Sequence, residues 1–493
     1  MNILETLNKH ARSKDRSKTF IVFENKEYSF DTINQLVNST CNYFKFLKIK
    51  KKDVVSTYLD NSLEFILIYF ASIRYGSIIN PNPHYISSEE IKNHKKKVNP
   101  KIIFITKENK KKFEKKSLNL IDVENTENFL QKIKKFSPVF TTNNFKLNSA
   151  NIAVLYYSSG STGDPKLIKM SNAAIINSQN FQKKSILMES GDNHLCILPL
   201  AHTSSLRSTL KFCLYNRRTV YLYKNFWSIK NNILDIIQSN KISFVMTVPS
   251  ILSMMSILFK NNKNLQKKIK TVKFFATGSS YLSEEVASSF ENTFGIPLVS
   301  IYGLSETCAI SMTSFKKISN FELQSVGKPM DKVKIKILNN KGNLCKNGEP
   351  GELSVNTPAI FSGYYKKQNR IKKNTYFKTG DIFTRDKNGY IYYIERKKNI
   401  IIKSGINITA NDIDKNLIKL KYIKDIFTTS TNDAFHGEVP KTYLTLNKKI
   451  NLEKIKKDAN KILGDFKTPR DFIIIKEIPR SLTGKVKYSL IDR

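Results

Sequence analysis

The sequence predicts an α/β protein with a large N-terminal domain, residues 1–396, and a smaller C-terminal one, residues 397–493. Three observations predict it. Strand-like runs alternate with segments of helical periodicity, the pattern of sheets covered by helices. A length of 493 residues exceeds what one hydrophobic core ordinarily serves. The texture of the chain also changes near Lys397 and Lys398, after which shorter elements run to the end.

The elements follow in order. Residues 53–59 read as a strand rich in β-branched side chains. Phe65, Ile66, Tyr69, Phe70 and Ile73 then recur at helical spacing, and Gly76 can stop that helix. Ser87 and Glu90 fit a capping box opening the next helix, and residues 101–106 form another strand. Residues 107–150, rich in Lys, Asn and Glu, are expected to be a weakly ordered surface stretch. Further strands are expected at 152–157, 167–170, 272–277, 297–301 and 389–394. Ser283, followed by Glu284 and Glu285, marks a helix start.

Composition excludes several classes. The formal charge is +41, but the basic residues are mostly Lys, spread along the chain among Asn and Ile. A nucleic-acid binder would concentrate Arg and exposed aromatics in a local module, so nucleic acid is not the expected partner. Cys41, Cys196, Cys213, Cys308 and Cys345 are odd in number and form no CxxC pair, which argues against a disulfide framework or a zinc site. The most apolar stretch, residues 63–79, contains Glu64 and Arg74 and is no membrane span. The N-terminus lacks a basic segment followed by an apolar run, so a cytoplasmic protein without integral membrane association is expected.

The strongest chemical signal is Tyr157-Ser158-Ser159-Gly160-Ser161-Thr162-Gly163-Asp164-Pro165-Lys166. One strand runs into it and another leaves it. Glycines let backbone N–H groups turn toward a polyphosphate, hydroxyls add donors, and Lys166 adds charge. The loop is not a Walker A, because GxxxxGK[ST] is not satisfied. A generic Ser/Gly-rich hairpin would be an ordinary turn; this string of hydroxyls, glycines, Pro and Lys points to phosphate. The second signal is Tyr302-Gly303-Leu304-Ser305-Glu306-Thr307, fed by a strand at whose carboxyl end ligands collect. Glu306 is a hard oxygen ligand suited to Mg²⁺, and Ser305 can donate to a phosphate. Alone, Glu306 would read as a solvated turn residue. Gly278-Ser279-Ser280 ends the strand before it, and Asp381 offers a carboxylate that can accept both hydroxyls of a ribose.

These motifs, in their order from about residue 20 to the C-terminus, resemble the adenylate-forming superfamily, acyl-CoA synthetase branch, whose wider membership includes peptide-synthetase adenylation domains and luciferases. The resemblance implies an N-terminal domain of mixed α/β sheet subdomains with a small β-barrel-like part, and a mobile α+β C-terminal domain. It implies that the loop from Ser158 to Lys166 covers the phosphates of ATP. Gly278, Ser279 and Ser280 would lie beside adenine and the acyl substrate, Tyr302 would pack against adenine, and Glu306 would hold Mg²⁺. Asp381 and Arg396 would hold the ribose, and Lys398 would occupy the pivot of the domain swing. Lys485, in the loop 478–486, would bridge the substrate carboxylate and the α-phosphate. Attack of a carboxylate on ATP brings two anions together, so a fixed cation where they meet lowers the barrier.

His202, in the run 198–203, resembles the family's position near the acyl pocket. Arg207 offers contact with a second anionic group on the substrate, although a surface Arg is the plainer expectation. The sequence departs from the family's pattern at Ser305, where Thr is usual, at Leu167, where Gly is common, and at Asp414, where Glu is usual. Segments 191–192 and 436–438 match only loosely.

The implied reaction converts a small-molecule carboxylic acid and MgATP into acyl-AMP and pyrophosphate, then passes the acyl group to CoA. With the chain ending shortly after Lys485, no downstream carrier domain is expected. Three other readings stand beside it: a stand-alone adenylation enzyme loading a carrier protein, a non-catalytic nucleotide- or acyl-binding module, and a basic nucleic-acid binder.

Overall fold

The structure is a computed structural model, and it describes residues 3–84, 88–113, 120–123, 125–140, 149–157, 166–182, 185–313, 325–366, 371, 375–404, 406–433, 435–480, 486–487 and 490–491. Val54–Tyr58 is a strand buried along its whole length, parallel to both Ile78–Asn82 and Ile102–Ile105. The helix Leu63–Tyr75 links the first two. It starts where the Ser62 side chain accepts from the Phe65 N–H and stops at Gly76, whose φ of 84° favours glycine. Its charged residues are paired inside the protein: Arg74 donates to Asn8, Asn34 and Asn38, and Glu64 accepts from Thr126. No helix among the described residues is long and apolar enough to cross a membrane.

The capping residue expected at Ser87 lies outside the described residues, and the helix Ser88–Val98 follows it. The stretch expected to be weakly ordered, 107–150, is partly built into the fold. Leu120–Asp122 adds a parallel strand beside Ile102–Ile105. Thr126–Lys134 is a helix capped by Asn125 that buries Phe129 and Ile133. Its polar composition hid it because only one narrow face is apolar, and that face docks on the helices Phe30–Phe46 and Leu63–Tyr75. Ile152–Tyr157 and the antiparallel Leu167–Ser171 complete a six-stranded sheet.

A nine-stranded sheet packs into the same core. Its parallel centre includes Phe244–Thr247, Phe274–Gly278 and Leu298–Leu304. Leu298–Leu304 then turns back antiparallel into Cys308–Met312. The strand therefore runs past the expected residue 301 and carries Tyr302 and Gly303 within it. Where a barrel-like part was expected, four antiparallel strands follow: Lys334–Leu338, Gly351–Asn356, Phe377–Arg385 and Ile391–Arg396.

A short 3₁₀ turn, Lys397–Asn399, leads into the last sheet. There Ile400–Lys403, Ile406–Thr409, Ile423–Asp433 and Gly437–Leu446 pair, with Asp471–Ile474 parallel to Gly437–Leu446. The helices Ala410–Leu417 and Leu452–Lys467 cover it, closing a second core that includes Ile401, Ile413, Leu417, Leu444 and Ile455. The fold is thus a large N-terminal α/β domain followed by a small α+β one. All five cysteines are free thiols.

Candidate active site

The site forms where the parallel strands end. A Cβ on Gly303 would lie 2.1 Å from the Cys308 carbonyl oxygen, and one on Gly278 would lie 2.5 Å from that of Ile301. Both residues are glycine because the strands around them approach so closely. That packing brings Gly278–Ser280 alongside the Tyr302–Glu306 motif. Ser279 follows with φ 71°, an uncommon conformation for a residue with a Cβ and one that clusters at functional sites. Its hydroxyl contacts that of Ser204 at 3.4 Å, which ties in the segment starting at His202. His202 is half-buried and immediately precedes the helical turn Thr203–Ser205.

Asp381 is the most enclosed charged group of the site, 1% exposed. It sits opposite Arg396 in the antiparallel strand pair, and the Arg396 Nε lies 2.7 Å from its Oδ1. The Tyr302 hydroxyl donates to Oδ2 at 2.6 Å. Burial and the Asp381 charge hold the Tyr302 phenol far above its ordinary pKa, so it stays a donor. Burial alone would lower the Arg396 pKa; Asp381, with smaller contributions from Tyr302 and Glu306, outweighs it and raises it. The Tyr302 ring packs on Phe383 at 4.8 Å, Phe383 on Tyr393 at 5.6 Å, and Tyr393 on Tyr281 at 5.8 Å. This row of rings links the four-stranded sheet to the Gly278–Ser280 segment.

Glu306 occupies the turn after Leu298–Leu304, with Ser305 half-buried beside it. A strap, residues 361–365, holds it. The Phe361 N–H donates to the Glu306 carbonyl at 2.8 Å, and the Tyr364 hydroxyl donates to Glu306 Oε1 at 3.1 Å. The same strap pairs with the strand Leu167–Ser171 through Ser362, Gly363 and Tyr365. Lys166 Nζ lies over the Tyr364 ring, 5.3 Å from its centroid. Tyr364 therefore bridges the carboxylate and the lysine that leaves the glycine-hydroxyl loop. Sequence reasoning did not find Tyr364, and no local motif marks it.

Lys398 lies in the turn between the two cores. It is partly exposed, yet burial of the rest of its side chain and the neighbouring Arg396 charge lower its pKa to about 8. Glu395, also not anticipated, is 4% exposed and accepts from the backbone N–H groups of Arg396 at 2.8 Å and Asn411 at 2.7 Å. Asn411 belongs to the first turn of Ala410–Leu417, so Glu395 fastens that helix N-terminus to the end of Ile391–Arg396. Ser158, Ser159, Gly160, Ser161, Thr162, Gly163 and Lys485 lie outside the described residues.

One correction concerns Arg207. The plainer expectation was a surface residue, but it is 7% exposed, in the π-helical run Leu206–Lys211. Its burial follows from the packing of that run against the helix Asn172–Gln182, which nothing local in the sequence announces.

A large α/β domain followed by a small α+β one is the architecture of the adenylate-forming enzymes, and both parts of the chain match it. The chain belongs to the AMP-binding enzyme family: residues 7–365 match its model, and 412–485 match that of the AMP-binding enzyme C-terminal domain. Among curated relatives, the 2-succinylbenzoate–CoA ligase of Lactococcus lactis is 25% identical over 93% of this chain and 94% of its own. The indoleacetate–CoA ligase of Aromatoleum aromaticum is 24% identical over 99% of this chain and 97% of its own. Among solved structures, ATP-bound MatB of Rhodopseudomonas palustris superposes with a TM-score of 0.87 at 18% identity, covering 99% of this chain and 98% of that one.

Proposed function

We propose that the chain is an ATP-dependent carboxylate–CoA ligase that works in the cytoplasm and forms acyl-AMP with the help of Mg²⁺. The relatives named above join carboxylic acids to CoA, which supports the acceptor. Five unpaired thiols support a reducing compartment.

The observation that carries the reading is the pairing of two built positions. Asp381 is oriented by Arg396 and Tyr302, and a carboxylate oxygen can accept more than one donor, as holding ribose hydroxyls requires. Glu306 is steadied by Tyr364 through one oxygen. Among the described residues no group of three metal-ligating side chains exists. One carboxylate plus nucleotide phosphates is the usual way Mg²⁺ is held, so Glu306 fits. Bound there, the ion would neutralise charge on the phosphates.

In this division of roles, Lys166 and the loop from Ser158 to Gly163 hold the β- and γ-phosphates. Gly278, Ser279, Ser280, Tyr302, Gly303 and Ser305 border the nucleotide, and His202 lines the acyl pocket. Lys485 neutralises charge as the carboxylate oxygen bonds to the α-phosphorus and pyrophosphate leaves. The small domain, residues 397–493, then swings about Lys398, and the thiol displaces AMP.

The test is pyrophosphate exchange into ATP against a panel of carboxylic acids. Lys485→Ala is expected to reduce exchange by at least about 100-fold while ATP binding persists. Full exchange in that variant removes Lys485 from the chemistry. Transfer to a phosphopantetheinyl carrier but not to free CoA would move the acceptor to a carrier protein.

A further inference from the structure

The run Leu206–Lys211 carries two cations, Arg207 and Lys211, one turn apart. They are 7% and 4% exposed. Among the described residues neither forms an ion pair, and the Arg207 Nε has no hydrogen-bond acceptor. Two like charges at this spacing repel, and a buried guanidinium without a counter-ion is costly. Their polar neighbours do not supply the missing charge. Lys211 lies over the Tyr69 ring, 5.6 Å from its centroid, and the Tyr69 hydroxyl meets that of Tyr156 at 3.5 Å. Burial keeps both phenols protonated far above their ordinary pKa. The Ser208 and Thr209 hydroxyls are also buried without partners.

The position of this cluster says what would complete it. Tyr156 stands next to the start of the glycine-hydroxyl loop, and Arg207 is close enough to act on it electrostatically. The same helical run begins beside His202 and reaches Ser279 through Ser204. The unpaired cations therefore sit on the run that begins at the segment proposed above to line the acyl pocket. A π-helical register is frequent at functional sites.

We propose that Arg207, backed by Lys211, holds a second anionic group of the substrate, so that the acid class is the dicarboxylates: one carboxylate is activated and the other is clamped. This rests on the carboxylate-activating function proposed above. Arg207 is a binding and specificity residue and takes no part in bond making.

The experiment compares pyrophosphate exchange for a series of dicarboxylic acids with exchange for their monomethyl esters. Diacids are expected to be favoured by about 10-fold or more in kcat/KM, the scale of one charge-assisted bidentate pair. In Arg207→Met that preference collapses through KM of the diacid, and Arg207→Lys recovers part of it. Thermal denaturation adds a readout that a packing role would not give: ligand-free Arg207→Met is expected to be at least as stable as wild type. A wild-type preference for monoesters overturns the proposal. So does an Arg207→Met enzyme that keeps the diacid preference or melts well below wild type. If no acid supports exchange, the carboxylate-activating reading fails, and calorimetric binding of the diacids to wild type against Arg207→Met still decides the clamp. Equal affinity overturns it, and weaker binding to the variant supports it.

Discussion

Arg396 and Arg207 both reach into the interior of the large domain, and they differ in what meets them. Arg396 finds Asp381 directly across a strand pair, at 2.7 Å. Arg207 is more deeply enclosed, yet no carboxylate among the described residues pairs with it. The first site is completed by folding. Asp381, Arg396 and Tyr302 lock one another, and in the nucleotide-binding role proposed for them that rigidity is in place before the ligand arrives. The second is left short of one negative charge, a cost to stability that a ligand can repay.

The largest expected effect comes from making the first site resemble the second. Asp381→Asn keeps the shape but leaves Arg396 without its counter-ion and, in the proposed role, removes the charged acceptor for a ribose. Because Arg396 is partly exposed, the stability cost should be on the order of 2 kcal/mol rather than the larger value of a fully buried pair. Pyrophosphate exchange should fall by at least about 100-fold, with weaker ATP binding seen by calorimetry. An Asp381→Asn chain as stable and active as wild type would erase the distinction between the two arginines. Arg207→Met, by contrast, is expected to move stability the other way or not at all.

Glu306→Gln asks whether the carboxylate needs its charge or only its place. Glutamine can still accept from Tyr364, so the strap at 361–365 should keep its geometry. The charge is lost, and about a 10–100-fold drop in exchange is expected, with the Mg²⁺ concentration for half-maximal exchange displaced upward. An unchanged Mg²⁺ dependence would show that nucleotide phosphates alone hold the ion.

Local pattern and distant packing explain what the sequence revealed. Strands such as Val54–Tyr58 and Ile152–Tyr157 were legible because β-branched and aromatic runs state their own preference. The start of Glu284–Phe294 was legible from Ser283, whose side chain does accept from Val286. Asp381 and Arg396 were found through resemblance, and their union shows only in the pairing of two strands. Tyr364, Glu395 and the burial of Arg207 were not legible. Each depends on a partner brought from elsewhere in the chain: Glu306, Asn411 and the helix Asn172–Gln182 respectively. The helix Thr126–Lys134 was missed for a related reason, since its two buried apolar residues are few among polar ones and gain meaning only against the helices beneath.

The same contrast can be drawn between carboxylates, with the smallest effect on the reaction. Asp381 meets a guanidinium; Asp414, in the small domain, shows part of its stem to solvent but has Oδ1 buried with no donor. Among the described residues it accepts only from Thr428, at its other oxygen, and burial raises its pKa to about 7 despite Arg480 nearby, with Glu395 adding to the rise. A carboxyl whose folded pKa is raised takes up protons on folding, so its contribution to stability is present below its unfolded value and is lost as pH rises through about 7. Asp414→Asn fixes the uncharged form. The variant should therefore gain stability relative to wild type between about pH 4 and pH 8, by on the order of 2–4 kcal/mol, while exchange activity changes little. Urea unfolding of the full chain across that range, followed by a probe in the small domain, reads the difference directly. A difference that stays flat with pH would mean that Asp414 is already ionised in the folded chain, and that the small domain tolerates an unpaired buried charge as the Arg207 site does.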